Sequence, residues 1–404
     1  MSVFWSVANV LLWIGLIPIF AASVYLGMLA LLARRRLGLP GSTTKRFDIV
    51  VPSHNEEAGI EQTVRSLLAL EYPSDMFRIL VIADNCSDRT AELARAAGAT
   101  VLERFDTVKR GKGYALELAY GKVLADGFAD AAVVVDADTV VSANLLSAFS
   151  RRFDEGAEAV QAEYAVPSNT DSWRGRLMVI AFTLFHAVRS SARERLGLSA
   201  GLRGNGMAFG VGLLRRVPSR AYSIVEDVEY GCTIGLQGVR VVYAEEAVVL
   251  SEMPTTGAAA RSQRERWEGG RMQLVREYVP ILLKRGLSSG SGVMLDLAAD
   301  LLVPPLSTLG IANVVGLALS FVAWTTGKGS PALFIGWTIS FLALVAYVVR
   351  GAVMARVGAR VILDLAWAPI YALWKITLMF RRRRNPKSEW VRTQRSPSPN
   401  GADR

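Results

Sequence analysis

Residues 131–139 read Ala-Ala-Val-Val-Val-Asp-Ala-Asp-Thr, and this stretch decides the fold more sharply than any other. Its unbroken apolar run predicts a strand over Ala131–Val135 that is buried on both faces, as in a parallel sheet. If the strand continues, Asp136 and Asp138 turn to one side, because side chains two positions apart share a face. Two carboxylates with diphosphate oxygens and water make an octahedral oxygen site, which predicts bound Mg²⁺ or Mn²⁺.

Strand and helix patterns alternate around this strand, between residues 45 and 276. This alternation predicts a doubly wound α/β sheet, in which ligands bind outside the carboxyl ends of the strands. The polar motifs of the chain fall at those ends. The other predicted strands are Phe47–Val51, Arg78–Ala83 and Thr100–Leu102, and the predicted helices are Ile60–Leu70, Ala91–Ala97, Tyr114–Leu124 and one from about Ala143.

Two polar loops follow the first two strands. Residues 52–57 read Pro-Ser-His-Asn-Glu-Glu, and residues 84–88 read Asp-Asn-Cys-Ser-Asp. The first loop suits the ribose and base of a nucleotide, although a helix start with Asn55 as its cap has the same residues. In the second, Asp84 could accept a hydrogen bond from a pyrimidine N–H or a ribose hydroxyl, although a plain turn would also contain it.

Two further motifs can serve a phosphate and a proton. The run Arg110-Gly111-Lys112-Gly113 can supply cationic donors to phosphate, while a solvated basic turn is an equal explanation. After the loop Gly204-Asn205-Gly206 comes the acidic pair Glu226-Asp227, which at a helix start is usually a cap. A sugar transfer with inversion nevertheless needs a carboxylate base opposite the leaving group, and Asp227 is the best-placed remaining acid.

The last motif, residues 263–267, reads Gln-Arg-Glu-Arg-Trp. On a helix, Gln263, Arg266 and Trp267 stand at i, i+3 and i+4 and share one face. The indole can stack on a sugar, the guanidinium can hold a diphosphate, and the amide can hydrogen-bond hydroxyls. An ordinary surface helix with a half-buried Trp would have the same residues.

Apolar segments at both ends of the chain predict a membrane protein. Residues 3–33 have no charged side chain and end at Arg34-Arg35-Arg36, which favours a retained anchor with an outside N-terminus over a signal peptide. Residues 297–326 and 331–349 predict two more spans, the first kinked at Pro304-Pro305. Residues 361–380 have basic clusters at both ends, which favours an interfacial helix over a fourth span.

These patterns predict four regions and exclude some classes of protein. Much of the net charge of +10 lies beside the apolar segments, so anionic lipids rather than nucleic acid are the expected partner. Cys86 and Cys232 support neither a disulfide nor a zinc site. The predicted regions are an anchor at 1–36, a cytosolic catalytic domain at 37–278, transmembrane and interfacial helices at 279–384, and a basic tail at 385–404.

The ordered motifs resemble those of the membrane-bound family 2 glycosyltransferases, such as cellulose and hyaluronan synthases and ceramide glucosyltransferase. The resemblance covers about residues 46–275. It implies a GT-A (Rossmann-like) α/β catalytic domain plus α-helical transmembrane segments. It also implies that Asp84 reads uracil, that Asp136 and Asp138 hold the metal, and that Asp227 is the base. The full predicted substrate-binding set is Pro52, Asn55, Glu56, Asp84, Lys112, Asp136, Glu226, Gln263, Arg266 and Trp267.

The expected function is therefore inverting, metal-dependent transfer of a sugar from a UDP-sugar to a lipid-linked or saccharide acceptor. Surface polysaccharide or glycolipid synthesis by a multi-pass protein of the inner membrane fits this function. One alternative is a processive synthase that extrudes its polymer, for which three spans would call for a homo-oligomer or partner subunit. The other is a non-enzymatic transporter or scaffold, which would not need acidic motifs at strand ends.

Overall fold

The computed structural model describes residues 2–35, 38, 40–167, 172–251, 257–355, 357–358 and 364. Side-chain positions are described from residue 5 in the first helix and from residue 269 in the helix that begins at Gly257. Contacts divide the chain into two units. The sheet unit contains the described residues of 38–167 and 197–301, and the apolar-helix unit contains those of 2–35, 172–196 and 302–364.

The sheet unit is built on eight strands in the order β3-β2-β1-β4-β7-β6-β8-β5. The first four strands in that order are parallel to one another, β7 runs antiparallel to both of its neighbours, and β6 is parallel to β8. The strands are β1 Phe47–Ser53, β2 Phe77–Asp84, β3 Thr100–Arg104, β4 Ala131–Val134, β5 Thr139–Val141, β6 Ala159–Ala165, β7 Met207–Gly210 and β8 Val241–Ser251.

Helices connect these strands and make up most of the apolar-helix unit. Among the described residues, a 3₁₀ turn, Ser74–Met76, precedes β2, and a π-helical turn, Leu184–Val188, interrupts one helical run. The α-helices are α1 Ser2–Leu32, α2 Ile60–Leu68, α3 Thr90–Ala96, α4 Lys112–Asp126, α5 Leu145–Asp154, α6 Trp173–Thr183, α7 Arg189–Arg195, α8 Val211–Arg216, α9 Glu226–Gly235, α10 Gly257–Ser289, α11 Gly292–Leu302, α12 Leu306–Thr325 and α13 Pro331–Ala355.

Both faces of the parallel strands are buried, which explains their continuous apolar sequences. In β1, Ile49 and Val51 lie in one core with Val64 of α2, whereas Val50 lies in a second core with Leu116 of α4. Each fully buried aliphatic side chain contributes about 1.5–3 kcal/mol relative to exposure. Covering both sides of the sheet therefore stabilises the frame whose strand ends position the polar loops.

The strand that precedes Asp136 ends earlier than the alternation argument requires. β4 stops at Val134, and Asp136 and Asp138 lie in a turn before β5. β4 lies between β1 and β7, whereas β5 pairs with β8 at the far edge of the sheet, so the chain has to leave its strand here. The strand therefore does not continue through the pair, so the alternation argument does not apply, and Asp136 and Asp138 lie in the turn between β4 and β5.

Three helices among the described residues are long and apolar enough to cross a membrane: Trp5–Leu32, Leu306–Thr325 and Pro331–Ala355. This fits a membrane-associated protein. The predicted span over 297–326 is broken, because α11 ends at Leu302 and α12 begins at Leu306 after two prolines, which lack the N–H a helix needs. Leu297 packs in the sheet unit with Leu274 of α10. Of the predicted interfacial helix at 361–380, only residue 364 lies within the described residues.

The segment 172–196, between β6 and β7, belongs to the apolar-helix unit. The Tyr347 hydroxyl of α13 donates to the Leu184 carbonyl of the π-helical turn at 2.8 Å, and Arg189 Nε donates to that hydroxyl at 3.0 Å. Arg193 donates to the Tyr25 hydroxyl of α1 at 2.9 Å. The contacts thus group 172–196 with the apolar helices and 279–301 with the sheet, whereas the sequence patterns suggested boundaries at 37–278 and 279–384.

Candidate active site

Three polar loops meet at one edge of the sheet. The strands β2, β1 and β4 are neighbours and parallel, and they end at Asp84, Ser53 and Val134. The loops that begin there are residues 54–57, 85–88 and 135–138. Because parallel strands end on the same side of a sheet, the motifs singled out in the sequence converge at this edge.

Hydrogen bonds join the first two loops. His54 Nδ1 lies 2.7 Å from the Asp84 carbonyl oxygen, and the Ser87 N–H donates to Asn55 Oδ1 at 2.8 Å. Asn55 and Asn85 have φ angles of 56° and 52°, the only positive values among the described non-glycine residues. Backbone strain of this kind persists where surrounding contacts hold it, and it clusters at ligand sites. The two loops therefore form one rigid wall of the site.

Asp84 is fully buried and keeps one acceptor available. Its Oδ1 accepts from Arg104 Nη1 at 2.6 Å and from Asn85 Nδ2 at 2.9 Å, whereas no described residue donates to its buried Oδ2. Burial raises the pKa of Asp84, and the Arg104 guanidinium opposes that shift. A buried acceptor without a hydrogen bond costs free energy, so Oδ2 is suited to accept from an N–H donor on a ligand.

Arg104 is a residue that the motif analysis missed. It pairs directly with Asp84 in the register between β2 and β3. Its other amino group donates to the Lys109 carbonyl at 2.6 Å, and its side chain is 13% exposed. Asp106 accepts the N–H groups of Val108 and Lys109 and so closes the following loop. Only strand register could have identified this arginine, and register is not readable from the local sequence.

Lys112 lies among the carboxylates of Asp136, Glu226 and Asp227. Its amine donates to Asp136 Oδ1 at 2.6 Å and to the Gly204 carbonyl at 2.5 Å, and it stands 3.5 Å from Glu226 Oε1. Burial alone would lower the pKa of Lys112, but Asp136 and Glu226 outweigh it and hold the pKa above its ordinary value. The run Arg110-Gly111-Lys112-Gly113 is thus more than a solvated turn, because its lysine is part of the acidic cluster.

The acidic pair Glu226-Asp227 opens α9 and faces the same cluster. Burial raises the pKa of Glu226 to about 7, against the opposing charge of Lys112. Burial likewise raises the pKa of Asp227, and Lys112 and Arg203 oppose the shift. A Cβ placed on Gly204 would lie 3.4 Å from Asp227 Oδ2, so glycine leaves this carboxylate its space.

The donor set around Asp136 and Asp138 suits a hard divalent cation. Both are carboxylates in one turn, and such oxygens are the ligands that Mg²⁺ and Mn²⁺ prefer. Among the described residues, no three or more His, Cys, Asp or Glu side chains group around a possible metal position. A cation bound by this pair would need further oxygens from its ligand, as a diphosphate provides.

The remaining predicted residues are placed less completely. Pro52 is buried inside β1, and the Glu56 N–H donates to Thr90 Oγ1 at 2.8 Å. Gln263, Arg266 and Trp267 belong to α10, but their side chains lie outside the described part of the chain. Their sharing of one helix face for substrate therefore stays a prediction.

Comparison with known proteins agrees with this architecture. Residues 45–270 match the family model "Glycosyltransferase like family 2". The probable glycosyltransferase YdaM of Bacillus subtilis (strain 168) is 25% identical over 250 residues, which cover 59% of this chain and 58% of the relative. The β-monoglucosyldiacylglycerol synthase of Trichormus variabilis is 28% identical over 254 residues, 60% of this chain and 52% of the relative. The chain thus spans about half the length of the curated relatives it matches.

A solved structure shares the fold. The mannosyltransferase PcManGT from Pyrobaculum calidifontis, in complex with GDP-Man and Mn²⁺, matches with a TM-score of 0.50 at 20% identity, covering 84% of this chain and 98% of that chain. The likeness supports a GT-A architecture. Because the family match includes more than half of the chain and all three polar loops at the sheet edge, the chain belongs to glycosyltransferase family 2 and is a glycosyltransferase with a GT-A fold.

Proposed function

We propose that this glycosyltransferase moves a sugar, with inversion and with a divalent cation, from a UDP-sugar to a lipid-linked or membrane-associated acceptor. The observation that carries the proposal is the meeting of Lys112, Asp136, Glu226 and Asp227 at the sheet edge where the first two loops also lie. Such a transfer needs positive charge next to the diphosphate, carboxylates that can bind a metal ion, a carboxylate that can accept a proton, and a group that recognises the nucleobase.

Asp84 supports uridine as the donor nucleoside. Its Oδ1 already accepts from Arg104 and Asn85, so Oδ2 is the oxygen left for a ligand. Uracil presents a single N–H between two carbonyl groups, whereas guanine presents two neighbouring N–H groups. One available carboxylate oxygen matches the uracil edge better. We therefore propose a UDP-sugar rather than a GDP-sugar.

Asp136 and Asp138 would hold the cation, which when bound would neutralise charge developing on the departing diphosphate. Lys112 provides a second positive group at the same place, because its amine already lies 2.6 Å from Asp136. An ammonium there can donate to phosphate oxygens. The lysine thus binds and orients the diphosphate next to the acidic pair.

Asp227 is the proposed general base. The acceptor hydroxyl oxygen bonds to the anomeric carbon, the bond from that carbon to the diphosphate oxygen breaks, and the hydroxyl proton passes to Asp227. Burial raises the pKa of Asp227, which makes its carboxylate a better proton acceptor while Lys112 and Arg203 favour the charged form. A base on the face opposite the leaving group produces inversion.

The apolar helices support an acceptor that is embedded in a membrane. Three described helices are long enough to cross one, and a relative at 28% identity carries the name β-monoglucosyldiacylglycerol synthase. A lipid acceptor extended by one or a few sugars needs no polymer channel. We propose that the acceptor is glycosylated at the cytosolic face of the inner membrane.

Product analysis tests the proposal. Full-length protein in lipid–detergent micelles is incubated with Mn²⁺, membrane lipid and a panel of UDP-sugars, with GDP-mannose in a parallel series. We expect a lipid-extractable product from a UDP-sugar, identified by mass spectrometry. Turnover of GDP-mannose alone would contradict the donor assignment. High-molecular-weight polymer made by the lone protein would favour the processive alternative.

Cysteine labelling tests the orientation. A membrane-impermeant maleimide added to intact cells should react with Lys328→Cys, in the loop between α12 and α13, and not with Ser42→Cys. The native Cys86 and Cys232, half-buried and buried, serve as internal controls, because both belong to the sheet unit. Labelling at residue 42 and protection at residue 328 would reverse the proposed orientation.

A further inference from the structure

Asn205 lies at the centre of the sheet edge and uses its whole side-chain amide in hydrogen bonds. Its Oδ1 accepts the main-chain N–H of Asp136 at 3.1 Å. Its Nδ2 donates to Thr139 Oγ1 at 2.8 Å and to Ser251 Oγ at 3.0 Å. The residue is fully buried, so water does not compete for these bonds.

These bonds reach both ends of the turn that displays the carboxylates. Asp136 begins the pair, and Thr139 follows Asp138 directly and donates to Asp138 Oδ1 at 3.4 Å. β4 has already ended, so the strand ladder does not hold the turn. Besides Asn205, Thr63 Oγ1 supports it by donating to the Ala137 carbonyl at 2.9 Å. The Asn205 amide thus bonds the chain on both sides of the carboxylate pair, at the Asp136 N–H and at the Thr139 hydroxyl.

The neighbours of Asn205 hold it in that place. Gly204 and Gly206 have φ angles of 80° and 66°, and a Cβ on Gly206 would lie 2.7 Å from Val249 Cγ2. Gln161 Nε2, also buried, donates to the Asn205 carbonyl at 2.7 Å. The Gly204 carbonyl accepts from Lys112 at 2.5 Å. The tripeptide 204–206 therefore contacts both the Lys112 ammonium and the turn that contains the two carboxylates.

We infer that Asn205 is a positioning residue that sets the Asp136 and Asp138 carboxylates for a divalent cation. The inference rests on the proposed function, in which that pair binds the metal together with a diphosphate. Asn205 would touch neither metal nor substrate. It acts through the Asp136 main chain and the Thr139 hydroxyl, and partners of this outer kind are worth about 10–100-fold in metal affinity.

The test measures metal binding directly. Mn²⁺ is titrated calorimetrically into full-length protein saturated with UDP, for the native protein, Asn205→Ala and Asn144→Ala. Asn144 is a matched control, because its amide also links two elements of the sheet unit, donating to the Glu246 carbonyl at 3.0 Å and accepting from Ser142. We expect about 10–100-fold weaker Mn²⁺ binding for Asn205→Ala and native binding for Asn144→Ala.

Equal Mn²⁺ affinity of Asn205→Ala and Asn144→Ala would overturn the inference and leave the proposed function standing. A native protein that binds UDP but no Mn²⁺ would instead overturn the proposed metal dependence, and the inference with it. If Asn205→Ala does not accumulate in folded form, Thr139→Val decides, since it removes the hydroxyl between Asn205 and Asp138. We expect a smaller loss of Mn²⁺ affinity there, and unchanged affinity would refute the positioning role.

Discussion

In the sheet unit, Arg104 and Arg152 donate to carboxylates, whereas in the apolar-helix unit the buried Arg189 and Arg193 donate to neutral hydroxyl oxygens. Arg104 pairs with Asp84 at 2.6 Å, and Arg152 pairs with Glu246 at 2.8 Å. By contrast, Arg193 donates to the Tyr25 hydroxyl at 2.9 Å, and Arg189 donates to the Tyr347 hydroxyl at 3.0 Å. The two regions thus bury the same guanidinium group in different chemical surroundings.

The difference follows from the small number of carboxylates in the described part of the apolar-helix unit. It distinguishes a unit whose charged groups serve binding and chemistry from one whose polar contacts serve stability. The carboxylates in the described residues of the apolar-helix unit are Glu194 and Asp364, the latter paired with Arg176 at 2.5 Å. In the sheet unit, opposite charges at strand ends leave groups ready for a ligand. Changes there should alter binding and chemistry, whereas changes to hydroxyls in the other unit should alter stability.

The largest effect is expected for the carboxylate pair of the sheet unit. Asp138→Ala should abolish sugar transfer while membrane expression persists, because charge stabilisation by a bound cation is worth several kcal/mol. EDTA should have the same effect on native protein. Transfer is measured with a radiolabelled UDP-sugar. As a control, Glu92→Ala removes an exposed carboxylate paired with Arg89 and should leave transfer unchanged. Full activity of Asp138→Ala, or of native protein in chelator, would defeat the metal assignment.

The next effect separates the base from the binders. Asp227→Asn keeps the shape of the side chain but cannot take a proton, so the transfer rate should fall by about 10²–10⁴-fold. UDP affinity, measured by calorimetry, should change little. If the variant turns over at a near-native rate, another residue is the base, and Glu226 is the first to examine because it lies in the same cluster.

A smaller effect is expected at the nucleoside. Asp84→Ala removes the buried acceptor and leaves the Arg104 guanidinium without its carboxylate, so UDP binding should weaken by about 10–150-fold, the equivalent of a charged hydrogen bond. The rate at saturating donor should fall much less. Native UDP affinity in this variant, or a rate loss with intact affinity, would exclude Asp84 as the base-reading residue.

The smallest effect sharpens the comparison between the units. Tyr347→Phe in the apolar-helix unit removes a hydroxyl that accepts from Arg189 and donates to Leu184, and should cost about 1–3 kcal/mol of stability. Tyr230→Phe in the sheet unit removes a single bond to the Val217 carbonyl and should cost about 1 kcal/mol. Thermal unfolding in detergent measures both. Transfer at saturating substrate should be native in each, and a rate loss in Tyr347→Phe would contradict the division of purposes.

The parallel half of the sheet was predictable because its signals are local. A strand buried on both faces needs a continuous apolar run, and such runs mark β1, β2 and β4. Turn and cap residues then mark where helices begin: the acidic pair marks the start of α9 at Glu226, while α4 begins at Lys112, two residues before its predicted start at Tyr114. The three polar loops at the sheet edge could be located for the same reason, since they follow directly on β1, β2 and β4, whereas Lys112 and Glu226 begin helices after loops.

Other features depended on contacts between distant residues. Nothing around Arg104 indicates that it pairs with Asp84, because the pairing arises from the register of β3 on β2. Nothing around Asn205 indicates that it holds the Asp136 turn, 69 residues away in sequence. The segment 172–196 contains too short an apolar run to predict a span, yet its contacts are with α1 and α13.

By itself, the sequence determined the fold class, the order of the loops, the family and the apolar helices, because each is set by patterns that neighbouring residues make. Only the tertiary structure decided that Lys112 stands among Asp136, Glu226 and the Gly204 carbonyl, that Asp84 retains one buried acceptor, and that the carboxylate pair lies in a turn. Those features depend on which distant strands become neighbours, and that choice is made by burying both faces of one sheet rather than by any local propensity.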